Sequence, residues 1–378
     1  MPPASEDGRR LLEAGEIELA TQRQIEWINQ QARTLGAPTA EDCQLLGVIL
    51  FARKDFAGSA RAFEQSRCYA PNWPYLAKNL GMALLLAGQE TAALPELQTA
   101  HQRNPDDISV LDALAHVHGR LGQLHEARDW GEQALLRKDA EAGTPLAPET
   151  RWPRGDPLPA FDPSHPEQNV IAFSLFGALP RYTDGALANV QAAREHYPGW
   201  TCRFYIDRTV PETVQAQLRQ AGVQIRPMQT PSRWSDALFW RFLVADDPHV
   251  QRFLVRDADS VLNAREAAAV RVWLDSPHPF HVMRDNPAHT DLMLAGMWGG
   301  VAGWLPPLPD MLAGFAYAPG TQARSADQLF LGARVWPRVR THCLVHDRVF
   351  RCFSAQPFPA HAPLPPGRHV GDNAAAFR

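Results

Sequence analysis

Residues 47 and 81 are both glycine, and the 34-residue interval between them (81 − 47) recurs through the first third of the chain. It aligns Phe63 with Leu97, Pro71 with Pro105, Gly88 with Gly122, Ala93 with Ala127 and Ala100 with Ala134. A third copy runs through Leu114-Ala115, Ala127, Gly131 and Ala134, and has Asp139 where the proline is expected. No other feature limits the fold as strongly. A unit of this length cannot bury its own apolar face and does so only by stacking on the next. Small residues let paired helices approach, large apolar ones fill the seam, and proline stops the second helix. A further helix over 21–35 is expected to cap the stack.

A helix–turn–helix period of this length is the signature of the tetratricopeptide repeat. The sequence therefore predicts an all-α repeat domain over 1–142. Its functional reading is a groove for a peptide or protein partner, and its structural reading is a helical brace for the rest of the chain. Acidic pairs such as Glu6-Asp7 and Asp106-Asp107 read as solvated helix starts.

Proline, 33 residues in all, is concentrated between 144 and 166 and in the last quarter of the chain. Residues 143–167 accordingly read as a linker. From 168 to 378 the pattern changes to strands alternating with helices, which predicts an α/β domain with a mainly parallel sheet. Strands are expected at 169–177, 202–207, 223–228 and 250–255, and helices at 184–196, 211–220, 235–245 and 264–276. In such sheets the carboxyl ends of the strands carry the site. Composition narrows the partners: a formal net charge of −4 gives no basic excess for nucleic acid or anionic membrane. No apolar run reaches the roughly 20 residues that span a bilayer, and the polar, acidic first 20 residues lack a signal-peptide core. Five scattered cysteines without a C-x-x-C pair read as reduced thiols of a cytoplasmic protein.

The chemistry concentrates at RFLVRDADS, where a short apolar run is followed at once by Asp257 and Asp259. If the chain stays extended, the two carboxylates point the same way. They then repel unless something positive sits between them. Asn263 and Glu266 supply the start signal of the next helix, so neither aspartate is needed as its cap. Hard carboxylate oxygens suit Mg²⁺ or Mn²⁺, which also take phosphate oxygens from a substrate.

The segments SLFGALPRYTDGALANVQAAREHYPGWTCRFYID, RDADSVLNARE, FHVMRDNPAHTDLMLAGMWGG, DQLFL and VHD resemble a bacterial group of family-8-like glycosyltransferases of the GT-A class, over about 168–378. The resemblance implies a Rossmann-like mixed sheet and an Asp-x-Asp that holds a divalent cation against a nucleotide-diphosphate sugar. It implies a late histidine as third metal ligand, with two candidates, His346 in LVHD and His369 in RHVGD; His346 is favoured for its strand-like setting. Backbone groups of Phe173, Ser174 and Leu175, with Tyr182 and Asp207, are expected at the nucleotide. Arg241 is expected to pair with Asp257 or a phosphate. The polar cluster His281, Arg284, Asp285 and His289, beside Gly299, is expected at the sugar and acceptor. Asp327 and Gln328 are expected beside the donor sugar, which suggests retention of configuration. An inverting reaction would instead need Asp285 or Asp327 as general base.

Two functions from different classes are compatible with these residues. One is a metal-dependent glycosyltransferase acting on a glycan, peptide or protein acceptor, with the repeats positioning acceptor or partner. The other is a non-catalytic repeat adaptor carrying a degenerate transferase domain. A P-loop NTPase is disfavoured, because no G-x-x-x-x-G-K-[ST] loop is present.

Overall fold

The computed structural model describes residues 4–73, 75–147, 157–317 and 322–372. Residues 148–156 of the expected linker lie outside the described residues. The chain divides into two compact units, Met1–Ala134 with Tyr317–Arg324 and Leu135–Ala316 with Ser325–Arg378.

The first unit is built of helices. Two of them, α1 (Ala4–Glu13) and α2 (Ile17–Leu35), precede three hairpins. The hairpins are α3 (Ala40–Ala52) with α4 (Phe56–Tyr69), α5 (Leu76–Leu86) with α6 (Glu90–Arg103), and α7 (Ile108–Arg120) with α8 (Leu124–Glu141). The second helices begin at 56, 90 and 124, exact steps of 34. Each is preceded by a left-handed residue at the same step: Lys54 (φ 67°), Gly88 (77°) and Gly122 (74°). Glycine adopts this conformation without strain, so the sequence repeat is also a repeat of turn geometry. The seam explains the glycine pair. A Cβ on Gly47 would lie 2.5 Å from the Phe63 ring, and one on Gly81 would lie 2.9 Å from Leu97. These are tetratricopeptide-type repeats.

The missing third proline has a visible consequence. α4 and α6 are 14 residues long and stop just before Pro71 and Pro105, whereas α8 runs for 18 residues through Asp139. The compact units divide within this helix, ahead of the expected boundary at 142. The reason is local to the second unit: Asp139 accepts from Trp336 Nε1 and Arg340 Nη1, each at 2.6 Å. Lys138 Nζ donates to Asp291 Oδ1 and to the Thr290 carbonyl, each at 3.0 Å.

The second unit is a seven-stranded sheet of order β3-β2-β1-β4-β6-β5-β7. The strands are β1 (Asn169–Leu175), β2 (Thr201–Ile206), β3 (Gln224–Pro227), β4 (Arg252–Arg256), β5 (Phe280–Arg284), β6 (Trp298–Val301) and β7 (Cys343–Asp347). β6 runs antiparallel to both its neighbours, and the other pairings are parallel. The α-helices that follow α8 are α9 (Pro180–His196), α10 (Glu212–Gln220), α11 (Ala264–Leu274), and the short α12 (Leu308–Leu312), α13 (Ala326–Phe330) and α14 (Trp336–Val339). An all-helical repeat region followed by an α/β unit with a mixed sheet is thus the observed fold class.

Strand alternation sorts the core. Ile171, Phe173, Leu175 and Leu254 pack with Val190 of α9 and Ala267, Val270 and Trp273 of α11. Ser174, of opposite parity, meets the segment Trp234–Asp246 instead, where its Oγ accepts from Arg241 N at 3.1 Å. That segment is 3-10 helical rather than the α-helix expected over 235–245. It is buried at Phe239, Trp240, Arg241, Phe242 and Val244 without a polar face, and the Arg241 N–H donates to Ser174 Oγ. α9 begins at Pro180, four residues before the expectation, because proline suits the first helical position.

Candidate functional site

β4 delivers the two aspartates to the carboxyl edge of the sheet, beside β1. The chain does not stay extended there. Ser260 N donates to the Asp257 carbonyl at 3.2 Å, closing a turn, so the expectation that alternation alone would align the two carboxylates does not hold. Asp257 keeps the parity of Phe253 and Val255 and meets Arg241, which bonds its Oδ1 and, at 2.7 Å, Asp327 Oδ2. Asp259 turns toward α9, where Arg181 Nη2 binds its Oδ2. Each acid therefore has its own arginine. The Asp257 side chain is 42% exposed and Arg241 only 4%, so the acid faces outward from a buried cation.

The electrostatics follow from burial. Burial raises the Asp259 carboxyl above its ordinary range, and neighbouring Asp257 adds to the rise. Burial raises Asp327 as well, partly offset by Arg241. Tyr182 lies beneath the Arg181 guanidinium, 4.5 Å from its ring centroid, and burial followed by the Asp259 charge raises its phenol. The like charge of Asp257 that presses on Asp259 would be relieved by a bound cation. The oxygen donors of Asp257 and Asp259 thus fit Mg²⁺ or Mn²⁺.

Several residues that sequence reasoning overlooked hold this loop. Asn189 Nδ2 donates to the Ala258 carbonyl at 3.2 Å, and its Oδ1 accepts from Leu262 N at 3.0 Å. One turn earlier on α9, Gly185 lies so close that a Cβ would sit 2.3 Å from the Ala258 carbonyl oxygen. A Cβ on Gly296 would sit 2.0 Å from Asp257 Oδ2. A glycine and an asparagine four apart inside one helix are poor helix formers, and that was the available signal. Ser260 Oγ donates to the Gly371 carbonyl at 2.9 Å, which brings the C-terminal stretch around His369 against the Asp-x-Asp turn.

Other expected site residues take structural positions. His281 and His346 are buried in β5 and β7 and bond each other, Nε2 to Nδ1, at 2.8 Å. His281 also stacks on Trp273 at 5.7 Å. Among the described residues no three His, Cys, Asp or Glu side chains form a group able to hold a metal, so neither His346 nor His369 stands in a ready-made three-ligand set with Asp257 and Asp259. Arg284 is fully buried and paired with Asp347 at 2.7 Å, an internal ion pair rather than an acceptor contact. Asp285, also fully buried, binds Arg348 at 2.7 Å and Arg265 at 3.3 Å. It further accepts from Val370 N at 2.8 Å. It fastens α11, Arg348 and the C-terminal stretch from a fully buried position, a structural role rather than that of a base. His289 Nδ1 accepts from Asp285 N at 3.0 Å, and its ring meets that of His369 at 4.9 Å. Gly299 sits inside the sheet, where a Cβ would lie 2.5 Å from the Phe253 carbonyl; its role is strand packing.

At the β1 and β2 ends, the Phe173 ring stacks on Phe204 at 4.7 Å and Leu175 is buried, so only their backbone could meet a ligand. Asp207 caps its own turn by accepting from Thr209 N at 3.0 Å. Thr209 Oγ1 in turn accepts from Gly177 N at 2.7 Å, tying the two strand ends together. Gln328 Nε2 donates to Asp291 Oδ2 at 3.0 Å. No helix among the described residues is long and apolar enough to cross a membrane.

No protein-family model matches the chain, and no curated protein matches it. Among solved structures it is similar to YrrB, described as a TPR protein with an unusual peptide-binding site, at 19% identity over 37% of this chain and 70% of that one, with a TM-score of 0.32. A MamA structure from Desulfovibrio magneticus RS-1 is similar at 19% identity, over 37% and 80%, with a TM-score of 0.32. A mutant O-GlcNAc transferase from Thermobaculum terrenum is similar at 13% identity, over 64% of this chain and 43% of that one, with a TM-score of 0.39. Similarities at this level say nothing about catalysis.

Proposed function

We propose that the protein is a cytoplasmic, metal-dependent glycosyltransferase with a GT-A-type domain. In this reading it transfers a sugar from a nucleotide-diphosphate sugar to a glycan, peptide or protein acceptor. One observation carries the reading: Asp257 and Asp259 leave the carboxyl end of β4 on a pinned turn, and Arg241 ties Asp257 to Asp327. The mixed sheet and the position of the acids beside β1 agree with the resemblance described above.

Asp257 and Asp259 would hold Mn²⁺ or Mg²⁺; neither histidine is preformed beside them, and His369 would be the one to join on binding, because the Ser260–Gly371 bond ties its segment to the turn while His346 is bonded to His281. The bound ion would supply Lewis acidity that neutralises charge on the departing diphosphate. Arg241 orients Asp257 and partly offsets the burial that raises the Asp327 carboxyl. Asp327 and Gln328 flank the donor sugar, and retention of configuration is the favoured outcome. The nucleotide lies over the ends of β1 and β2, against the backbone of 173–175, Tyr182 and Asp207. The repeats position the acceptor or a partner protein.

A second reading, an adaptor with a transferase-like domain that no longer turns over, draws on the arginine that neutralises each acid. Thermal shift and calorimetry with UDP, GDP, CDP and ADP, with and without Mn²⁺, separate the two. A stabilisation that needs both ligands and disappears in Asp257→Asn/Asp259→Asn supports the enzyme. The absence of any shift from well-folded wild type supports the adaptor.

A further inference from the structure

The two arginines that neutralise the acidic pair are built differently. Arg241 is 4% exposed and bonds Asp257, Asp327 and the Arg256 carbonyl. Moving it would leave Asp327 buried without its cation, so it is a fixed part of the site. Arg181 is 46% exposed, on the first turn of α9, while its partner Asp259 is only 13% exposed. The Tyr182 ring supports its guanidinium at 4.5 Å, a platform that serves a cation in more than one position.

A divalent cation on Asp259 and the Arg181 guanidinium compete for one carboxylate. They carry the same sign, and the ion carries twice the charge. An ion on Asp259 would take the anion that Arg181 now pairs with and would push the guanidinium outward, with the Tyr182 ring still beneath it. The ligand that arrives with such an ion is polyanionic, and a planar guanidinium binds phosphate oxygens with two parallel hydrogen bonds.

We propose that Arg181 is an exchangeable counter-ion: it neutralises Asp259 in the cation-free protein and turns to the diphosphate of the donor once a divalent cation has taken Asp259. The inference rests on the donor-site reading above and adds a binding residue and an order of events to it. Cation binding prepares the anion site by releasing its arginine, so cation and nucleotide bind with positive coupling.

The proposal requires effects of opposite sign on two ligands. In Arg181→Gln, Mn²⁺ alone, followed by the paramagnetic resonance signal of the free ion, binds more tightly by about two- to fivefold, because a competing charge is gone. The nucleoside diphosphate from the UDP, GDP, CDP and ADP panel that the wild type binds at saturating Mn²⁺ then binds about tenfold or more weakly, as loss of a charged hydrogen bond implies. Arg181→Lys keeps the charge and loses the planar fork, so its Mn²⁺ affinity stays near wild type and its nucleotide affinity falls in between. Unchanged Mn²⁺ affinity in Arg181→Gln, or weaker binding of both ligands, overturns the proposal and leaves Arg181 a plain prop for Asp259. If wild type binds no Mn²⁺, or binds it equally well in Asp257→Asn/Asp259→Asn, the donor-site reading itself fails.

Discussion

Asp257 and Asp327, 70 residues apart in sequence (327 − 257), share the guanidinium of Arg241, with one terminal nitrogen on each carboxylate. This relationship joins the turn after β4 to α13 and fixes where the exposed acid points. A buried ion triad is kept together more by the cost of breaking it than by its net stabilisation.

Arg241→Met should therefore be strongly destabilising. It leaves Asp327 buried beside Asp257 with no cation, at a cost of about 3–5 kcal/mol by comparison with broken buried pairs. Urea unfolding at neutral pH measures it. Arg241→Met/Asp327→Leu should recover much of the loss, since removing both partners removes the orphaned charge. A single variant as stable as wild type would show that the triad is not a unit.

The raised carboxyl of Asp259 sets a sign for pH dependence. In the cation-free protein the folded state holds this proton more tightly than the unfolded state does. The group's favourable contribution is thus fully present below the ordinary carboxylate range and is lost as pH rises through the raised value. Asp259→Asn should gain stability over wild type as pH rises from acid to neutral, offset by about 0–1 kcal/mol for the lost, partly exposed Arg181 pair. Thermal unfolding from pH 4 to 7 without divalent cation tests this. Added Mn²⁺ should stabilise wild type and not the variant.

Two histidines make contrasting predictions. Burial lowers the His346 imidazole to about 4 and pushes His281 well below its ordinary value. A depressed folded value means stability present above the ordinary histidine range and lost as pH falls toward the folded value. For His346 the loss approaches about 2 kcal/mol near pH 5. His346→Gln should flatten that acid limb in urea unfolding and leave Mn²⁺ affinity unchanged. His369→Ala should instead weaken Mn²⁺ by about tenfold or more. The reverse outcome would return the metal role to His346.

Gly296 tests the cradle around Asp257. An added Cβ would sit 2.0 Å from Asp257 Oδ2, so Gly296→Ala must displace the carboxylate or the strand approach. We expect about 1–3 kcal/mol of destabilisation and a larger relative loss of Mn²⁺ binding. Circular dichroism with Mn²⁺ titration checks both. An unaffected Mn²⁺ affinity would mean that Asp257 is not a ligand.

Much of the fold was legible because it is periodic. The 34-residue step appears in the sequence and again in the helix starts and left-handed turns. Strands β1, β2 and β4 and helix α11 fall close to their expected positions. Asn263 caps α11 by accepting from Glu266 N at 3.0 Å. The Glu266 side chain does not complete the capping box; it binds Arg256 and, at 2.8 Å, the Tyr197 hydroxyl. Local sequence could give the cap but not this destination, because the partners come from β4 and from the residue that ends α9.

By itself the sequence determined the repeats, the alternation of strands and helices, and the arrival of two aspartates at the end of a strand. These depend on hydrophobic period and on residues with unusual backbone preferences, which act over a few positions. Only the tertiary structure decided which polar residues share a site. His281, Arg284 and Asp285 are as dense in polar groups as a site should be, yet they are spent on His346, Asp347 and Arg348. Arg181 and Asn189, unremarked in the sequence, reach the Asp-x-Asp turn from α9. The physical reason is that a buried polar group must find its partner wherever packing brings one, and that partner lies tens of residues away in the chain.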